Sequence, residues 1–67
     1  MLYYVNDKPQ TNGDHEVHTD SCSWLPEISN RTYLWNFSNC SDAVKAAKKI
    51  YSQSNWCYWC CSACHTS

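Results

Sequence analysis

Short runs of alternating apolar and polar residues predict a β-hairpin at the start of this chain. Leu2 to Val5 is the first β-prone run, and His15-Glu16-Val17-His18 is the second. Pro9 and the turn dipeptide Asn12-Gly13 lie between them. Strand alternation places Val17 and His15 on one face of the second strand and Glu16 and His18 on the other. The two histidines are therefore predicted to point in opposite directions.

A third strand is predicted from Tyr33 to Phe37. Aromatic residues alternate there at positions 33, 35 and 37, which is typical of a strand with one packed face. The intervening segment, from Thr19 to Arg31, is polar and rich in turn-forming residues, so we predict a loop.

One helix follows the third strand. Asn39 is the predicted N-cap, and Asp42 three residues later suits the positive end of the helix dipole. Lysines 45, 48 and 49 would face water. The predicted apolar stripe, which packs on the sheet, comprises Cys40, Ala43, Val44, Ala47, Ile50 and Tyr51.

The chain ends in a cysteine-rich tail from Trp56 to Ser67 that has neither helical nor strand periodicity. Together these elements predict an α+β fold with a three-stranded antiparallel sheet, one helix and a cysteine-rich C-terminal tail. No internal repeat is visible, so we predict a single small domain over residues 1–67.

A chain of 67 residues is shorter than a single apolar core usually requires, so a cross-link is expected. Six cysteines are available. A structural zinc site contributes about 10 to 16 kcal/mol to folding, and three disulfides would contribute about 9 kcal/mol. The contributions to folding energy therefore do not distinguish a zinc site from three disulfides.

The cellular compartment favours metal over disulfides. Met1-Leu2-Tyr3-Tyr4-Val5 runs directly into polar residues, without the basic and apolar regions of an export signal. We therefore expect a cytoplasmic protein, in which reduced thiols bind metal. A disulfide-stapled secreted peptide stays as the alternative.

Composition argues against several functional classes. The net charge is −1 with five Lys plus Arg, so the basic patch expected of a nucleic-acid-binding domain is missing. No apolar run approaches the roughly 18 residues that would span a bilayer. No nucleophile stands beside a base, and the single glycine leaves no phosphate loop, so we expect no enzyme and infer no small-molecule substrate. An unidentified protein or nucleic acid partner stays open.

The cysteines and histidines show the spacing of a zinc site. Two CxxC units stand back to back, Cys57-x-x-Cys60 and Cys61-x-x-Cys64, and His18-x-x-x-Cys22 lies far upstream. Zinc prefers four nitrogen or sulfur ligands in a tetrahedron, and a CxxC turn supplies two of them. We therefore predict one zinc ion between the His18/Cys22 pair and one CxxC unit. Cys61, Cys64 and the adjacent His65 are alternative ligands.

Other uses of these cysteines carry less weight. Cys61-x-x-Cys64-His65 matches a haem-attachment signature, but Met1 is the only methionine and no export signal is visible. A CxxC pair can also serve thiol redox chemistry, but a redox pair is usually followed by a helix that lowers the pKa of its first thiol. The sequence predicts no helix after Cys57 or Cys61. Cys40 lies on the apolar stripe of the helix, so we interpret it as a buried hydrophobic residue outside the site.

Four tryptophans stand among ten aromatic residues. They could form a stacking platform for bases or sugars. A small domain poor in aliphatic residues also needs large rings for its core, and we favour that interpretation. Trp59 is the tryptophan that we expect to be most exposed.

Five pieces follow one another along the chain: Tyr3-Tyr4-Val5, Val17-His18-x-x-x-Cys22-x-x-Leu25, Phe37-Ser38, Asp42-Ala43 and Cys57-x-x-Cys60. Their order resembles the small zinc-binding β-β-α module typified by the metal-binding domain of the Ada DNA-repair methyltransferase and its YHxxxC relatives. The resemblance implies that zinc is bound by His18, Cys22, Cys57 and Cys60. The chain departs from that pattern in its extra Cys61-x-x-Cys64-His65 and in a histidine where Ada has its reactive cysteine, so the resemblance implies a fold and a metal without methyl transfer. The chain also resembles small bacterial proteins of unknown function that carry HEVH and CxxCCxxCH segments.

Overall fold

A mixed β-sheet with one helix packed on it forms the fold of residues 1–59, the part of the chain that the computed structural model describes. A short 3-10 turn at Ile28–Asn30 leads into the third strand. The elements in chain order are β1 (Leu2–Asn6), β2 (His15–Thr19), β3 (Arg31–Asn36), α1 (Cys40–Lys48) and β4 (Ser54–Trp56).

The sheet has the strand order β3-β1-β2-β4. β1 pairs antiparallel with both β2 and β3, whereas β4 pairs parallel with β2. The predicted small α+β class with one helix is thus confirmed, but the three-stranded antiparallel sheet is wrong. Ser54–Trp56, for which the sequence predicted no strand, adds the fourth strand. Three residues are too few to show a strand period in the sequence.

The predicted hairpin joins β1 to β2. The N–H of Gly13 donates a hydrogen bond to the carbonyl of Gln10 at 2.8 Å, and Gly13 has a φ of 93°, which glycine adopts without a steric penalty. In the resulting register Tyr4 lies opposite His18 and Val5 opposite Val17. Val17 is buried in the apolar core, so the predicted alternation of faces along β2 is confirmed.

Helix α1 begins where the sequence predicted. The side chain of Asn39 accepts a hydrogen bond from the N–H of Asp42 at 2.9 Å, which caps the helix. α1 ends at Lys48, and Ile50 beyond it is exposed, so the predicted apolar stripe is wrong at that residue. No helix within residues 1–59 is both long and apolar enough to cross a membrane.

The apolar core lies between α1 and one face of the sheet. Phe37, Tyr51 and Trp56 pack partly buried around it. Its buried members are Tyr3, Val5, Val17 and Leu34 from the sheet, and Cys40, Ala43, Val44 and Ala47 from the helix.

A β-bulge changes the faces of β3. Tyr3 pairs with Trp35 and Tyr4 pairs with Tyr33, so Leu34 is the extra residue in the register. Leu34 is buried in the core, while Tyr33 and Trp35 are exposed. The predicted packed face of residues 33, 35 and 37 is therefore wrong at its first two positions. Trp35 has a φ of 126°, which is strained for a residue with a side chain.

Candidate metal centre

His18 occupies the face of β2 opposite the apolar core. It follows Val17 in the strand, so its side chain points away from α1. Its partner across the hairpin is Tyr4 of β1. Only 1% of His18 is exposed, which makes it the largest fully buried side chain among residues 1–59.

Cys22 reaches His18 through the turn that ends β2. The N–H of Cys22 donates to the carbonyl of Thr19 at 3.2 Å, which folds the chain back directly after the strand. The N–H of Trp24 then donates to the sulfur of Cys22 at 3.4 Å. A backbone donor aimed at a sulfur stabilises its thiolate form, the form that binds metal.

Cys57 arrives from the far end of the chain because β4 pairs with β2. Trp56 lies opposite Val17 in the parallel register, and the N–H of Cys57 donates to the carbonyl of Val17 at 2.9 Å. This hydrogen bond holds Cys57 beside His18. Cys57 is almost fully buried.

The three side chains converge on one point. The sulfurs of Cys22 and Cys57 are 3.8 Å apart. These two sulfurs and one ring nitrogen of His18 all lie within 4.8 Å of one another. A disulfide would bring the sulfurs to about 2.05 Å, so these two are not bonded to each other. Two sulfurs on a tetrahedral zinc ion, each about 2.3 Å from it, stand about 3.8 Å apart. The observed spacing thus suits two ligands of one ion.

The environment of His18 also suits a metal ligand. Neither ring nitrogen has a hydrogen-bond partner within the described part of the chain. Burial lowers the pKa of His18 to about 4, so the imidazole is neutral at pH 7 and offers a lone pair. An unsatisfied buried polar atom costs about 1 to 3 kcal/mol, and a bound ion would relieve that cost at one nitrogen. His18, Cys22 and Cys57 are therefore a group that could hold a metal ion.

Glu16 lies next to this group, although the sequence did not mark it as a site residue. Its Oε1 is 3.9 Å from Nε2 of His18, which is too far for a hydrogen bond. Ligating histidines commonly have a carboxylate beside their second nitrogen. The signal was present in the sequence, since residues two apart on a strand share a face.

The structure does not describe every predicted ligand. Cys60 and the alternatives Cys61, Cys64 and His65 lie outside residues 1–59. Cys40, which the sequence excluded from the site, is indeed absent from the His18 group. Cys40 is buried in the apolar core, as predicted, but it is disulfide-bonded and therefore is not the free cysteine that the sequence suggested.

His15 lies away from the candidate site and has a structural environment. Its ring stacks on Tyr51 with centroids 3.8 Å apart, and its Nδ1 lies 2.9 Å from the carbonyl of Asn6. A carbonyl only accepts, so Nδ1 carries the proton. The Tyr51 hydroxyl donates to Asp7 at 2.9 Å, and this hydrogen bond raises the pKa of Tyr51. The two histidines of β2 thus face different surroundings.

Most tryptophans do not join the core. Trp24, Trp35 and Trp59 are 63%, 65% and 69% exposed, whereas Trp56 packs against the core. The preference for tryptophan as a core residue is therefore wrong at three of four positions. The expectation for Trp59 is confirmed, since it is the most exposed of the four.

Comparisons with known proteins do not indicate a function for this site. Neither family models, nor curated proteins, nor solved structures gave a match to this chain. The resemblance to the Ada-type module thus stays a prediction. What the chain does has to be argued from His18 and the two sulfurs beside it.

Proposed function

We propose that this chain is a small binding module, without catalytic activity, whose fold is stabilised by a zinc ion. The observation that carries the proposal is His18, a buried neutral imidazole without a hydrogen-bond partner among residues 1–59, beside two sulfurs 3.8 Å apart. Such a group is costly in a small domain unless a ligand satisfies it.

Zinc is the proposed metal because of the donor set. One imidazole and two thiolates suit a borderline-soft ion that accepts tetrahedral coordination. The fourth ligand proposed from the sequence is Cys60, in agreement with the pattern of the Ada-type zinc module. When bound, the ion would supply cross-linking energy to the fold.

A stabilising role follows from where the three residues lie in the chain. Cys22 and Cys57 are separated by 35 residues, and His18 belongs to a central strand of the sheet. An ion held by all three would join the turn after β2 to the segment after β4. Closing so long a loop restricts the unfolded chain far more than it restricts the native one. We propose that a protein or nucleic acid partner binds to the module so stabilised.

A disulfide-stapled secreted peptide is the second candidate, and the disulfide of Cys40 favours it. Disulfides persist in oxidising compartments. Intact mass of protein purified without reductant separates the candidates, because three bridges remove six hydrogens and leave no thiol to alkylate. Alkylation of Cys22 and Cys57 after chelation, but not before, would favour zinc.

Metal content tests the proposal with a matched control from the same strand. We expect about one equivalent of zinc in the purified, reduced protein. His18→Ala, Cys22→Ser and Cys57→Ser should each lose it. His15→Ala should retain it, since His15 lies on the opposite face. Less than about half an equivalent in the parent protein, or equal loss in His15→Ala, would refute the proposed site.

A further inference from the structure

A cleft opens beside the candidate metal group and is lined by aromatic rings. Its volume is about 390 Å³, and His18 forms part of its wall. Trp24, Tyr58 and Trp59 line it together with Glu16, Asn6 and Gln10. All three rings are more than half exposed, an unusual state for such large apolar side chains.

Two of the three rings contact each other edge to face. Tyr58 and Trp59 stand perpendicular to each other, with centroids 5.3 Å apart and an interplanar angle of 89°. Trp24, from the loop after β2, lines the same cleft. Two perpendicular rings and a third from another segment can surround a compact group on several sides.

The residues that line the cleft favour a ligand of one charge. Glu16 is the one charged residue among the described residues that line it, and no lysine or arginine lies among them. Aromatic faces carry negative electrostatic potential, which adds to that of the carboxylate. The cleft therefore favours a cation and disfavours phosphates and carboxylates.

We propose that this cleft binds a methylated ammonium group. Methyl groups remove the N–H donors of an ammonium ion and give it an apolar surface, so it enters an aromatic box at a lower desolvation cost than a bare ammonium. Cages of aromatic rings are a known means of holding such cations. The amides of Asn6 and Gln10, which also line the cleft, offer polar contacts to the molecule that carries the group.

This inference rests on the proposed metal site, because the same residues would position the cage. The N–H of Trp24 donates to the sulfur of Cys22, and Tyr58 and Trp59 directly follow Cys57. An ion held by both cysteines would therefore hold the two halves of the cage at a constant distance. Without the ion, the walls come from segments far apart in the chain.

Titrations of the zinc-loaded protein, followed by tryptophan fluorescence, test the inference. The probes are choline, a peptide containing trimethyllysine, the same peptide with unmodified lysine, and 3,3-dimethyl-1-butanol, an uncharged analogue of choline. We expect both trimethylated probes to bind at least about tenfold more tightly than their unmethylated or uncharged counterparts. A preference for the peptide over choline would place the source of the group in a protein; the reverse would point to a free small molecule.

Variants with a matched control complete the test. Trp24→Ala and Trp59→Ala should each weaken binding of the trimethylated probes at least about tenfold. Trp35→Ala should leave binding unchanged, because Trp35 is equally exposed but lies outside the cleft. Equal binding of the uncharged analogue, no saturable binding, or an equal effect of Trp35→Ala would overturn the inference.

Metal content separates failure of this inference from failure of the proposed function. Protein that holds one equivalent of zinc but does not distinguish the probes would refute the cage alone. Protein that holds no zinc would refute the metal site, whatever the titrations show. Trp24→Ala should keep its zinc, since the ring supplies no ligand.

Discussion

The two faces of the sheet are covered by different kinds of side chain. Under α1, valines, a leucine and small helix residues pack into an apolar core. On the opposite face His18 is buried against the sulfurs of Cys22 and Cys57. So short a chain has enough apolar residues for one packed layer, and its second layer would need coordination instead.

The aromatic rings make the same contrast. Tyr3 and Phe37 contact each other at the apolar core, with centroids 6.3 Å apart. Tyr4, Tyr33 and Trp35 instead form a row of contacting rings in which Tyr33 and Trp35 are exposed. The guanidinium of Arg31 lies 4.5 Å above the Tyr4 ring. The aromatic rings on the helix-covered face thus pack into the core, whereas Tyr33 and Trp35 on the opposite face are exposed to solvent.

The largest effect is expected from removing the zinc ion proposed at His18, Cys22 and Cys57. A chelator added to the reduced, zinc-loaded protein should lower the free energy of unfolding by several kcal/mol, because structural zinc contributes roughly 10 to 16 kcal/mol in small domains. Denaturant titration measures the change. Cys22→Ser should start at the lower value and show no further response to chelator. An unchanged melt of the parent protein would mean that both faces are closed without metal.

Acidification should weaken the same face in the metal-free protein. Burial lowers the pKa of His18 from 6.5 to about 4, so the unfolded chain binds the proton more tightly than the native one. Stability is therefore fully present above pH 6.5 and falls as the pH drops towards 4, by up to about 3 kcal/mol. Because the metal-free protein is expected to have little stability, the measurement is made in a stabilising osmolyte. Denaturant titration at a series of pH values gives the slope of the free energy of unfolding against pH, and His18→Leu is the control. A slope that persists in His18→Leu would assign it to another group.

A cavity in the helix-covered face should act independently of the metal. Val44→Ala removes two buried methyl groups from the core and should cost about 2 kcal/mol of stability. Zinc content should stay at one equivalent, because Val44 packs on the other side of the sheet. Ile50→Ala, at an exposed position, serves as the near-neutral control. Loss of zinc in Val44→Ala would show that the two faces are coupled.

The smallest effect is expected at the bulge of β3. Trp35 has a φ of 126°, a conformation that glycine adopts and other residues resist. Trp35→Gly should therefore be more stable than Trp35→Ala, by about 1 kcal/mol. Tyr33, whose φ is negative, should show the opposite order, since glycine weakens an ordinary strand. Thermal melts of the four variants suffice.

Local signals in the sequence predicted the helix and the hairpin well. Asn39, Asp42 and the apolar stripe act within one element, and Asn12-Gly13 acts within one turn. β4 was missed because its three residues form a strand only by pairing with β2. The faces of β3 were missed because an extra residue in the register reverses alternation.

The candidate site was predictable only in part. The spacing of His18 and Cys22 and the CxxC unit at Cys57 pointed to these residues, but their convergence depends on the parallel pairing of β4. The sequence could not show that Cys40 is disulfide-bonded. A free cysteine and a disulfide-bonded cysteine can both be buried on the apolar stripe of a helix, so the position of Cys40 does not distinguish them. The exposure of Trp24 and Trp59 depends on loops whose path no periodicity describes.

X-ray absorption at the zinc edge tests the central claim most directly. It reports the atoms around the ion in the reduced, zinc-loaded protein. We predict a mixed shell with at least two sulfurs at about 2.3 Å and at least one imidazole nitrogen at about 2.0 Å. An all-sulfur shell would exclude His18, and a shell of oxygen and nitrogen alone would exclude Cys22 and Cys57.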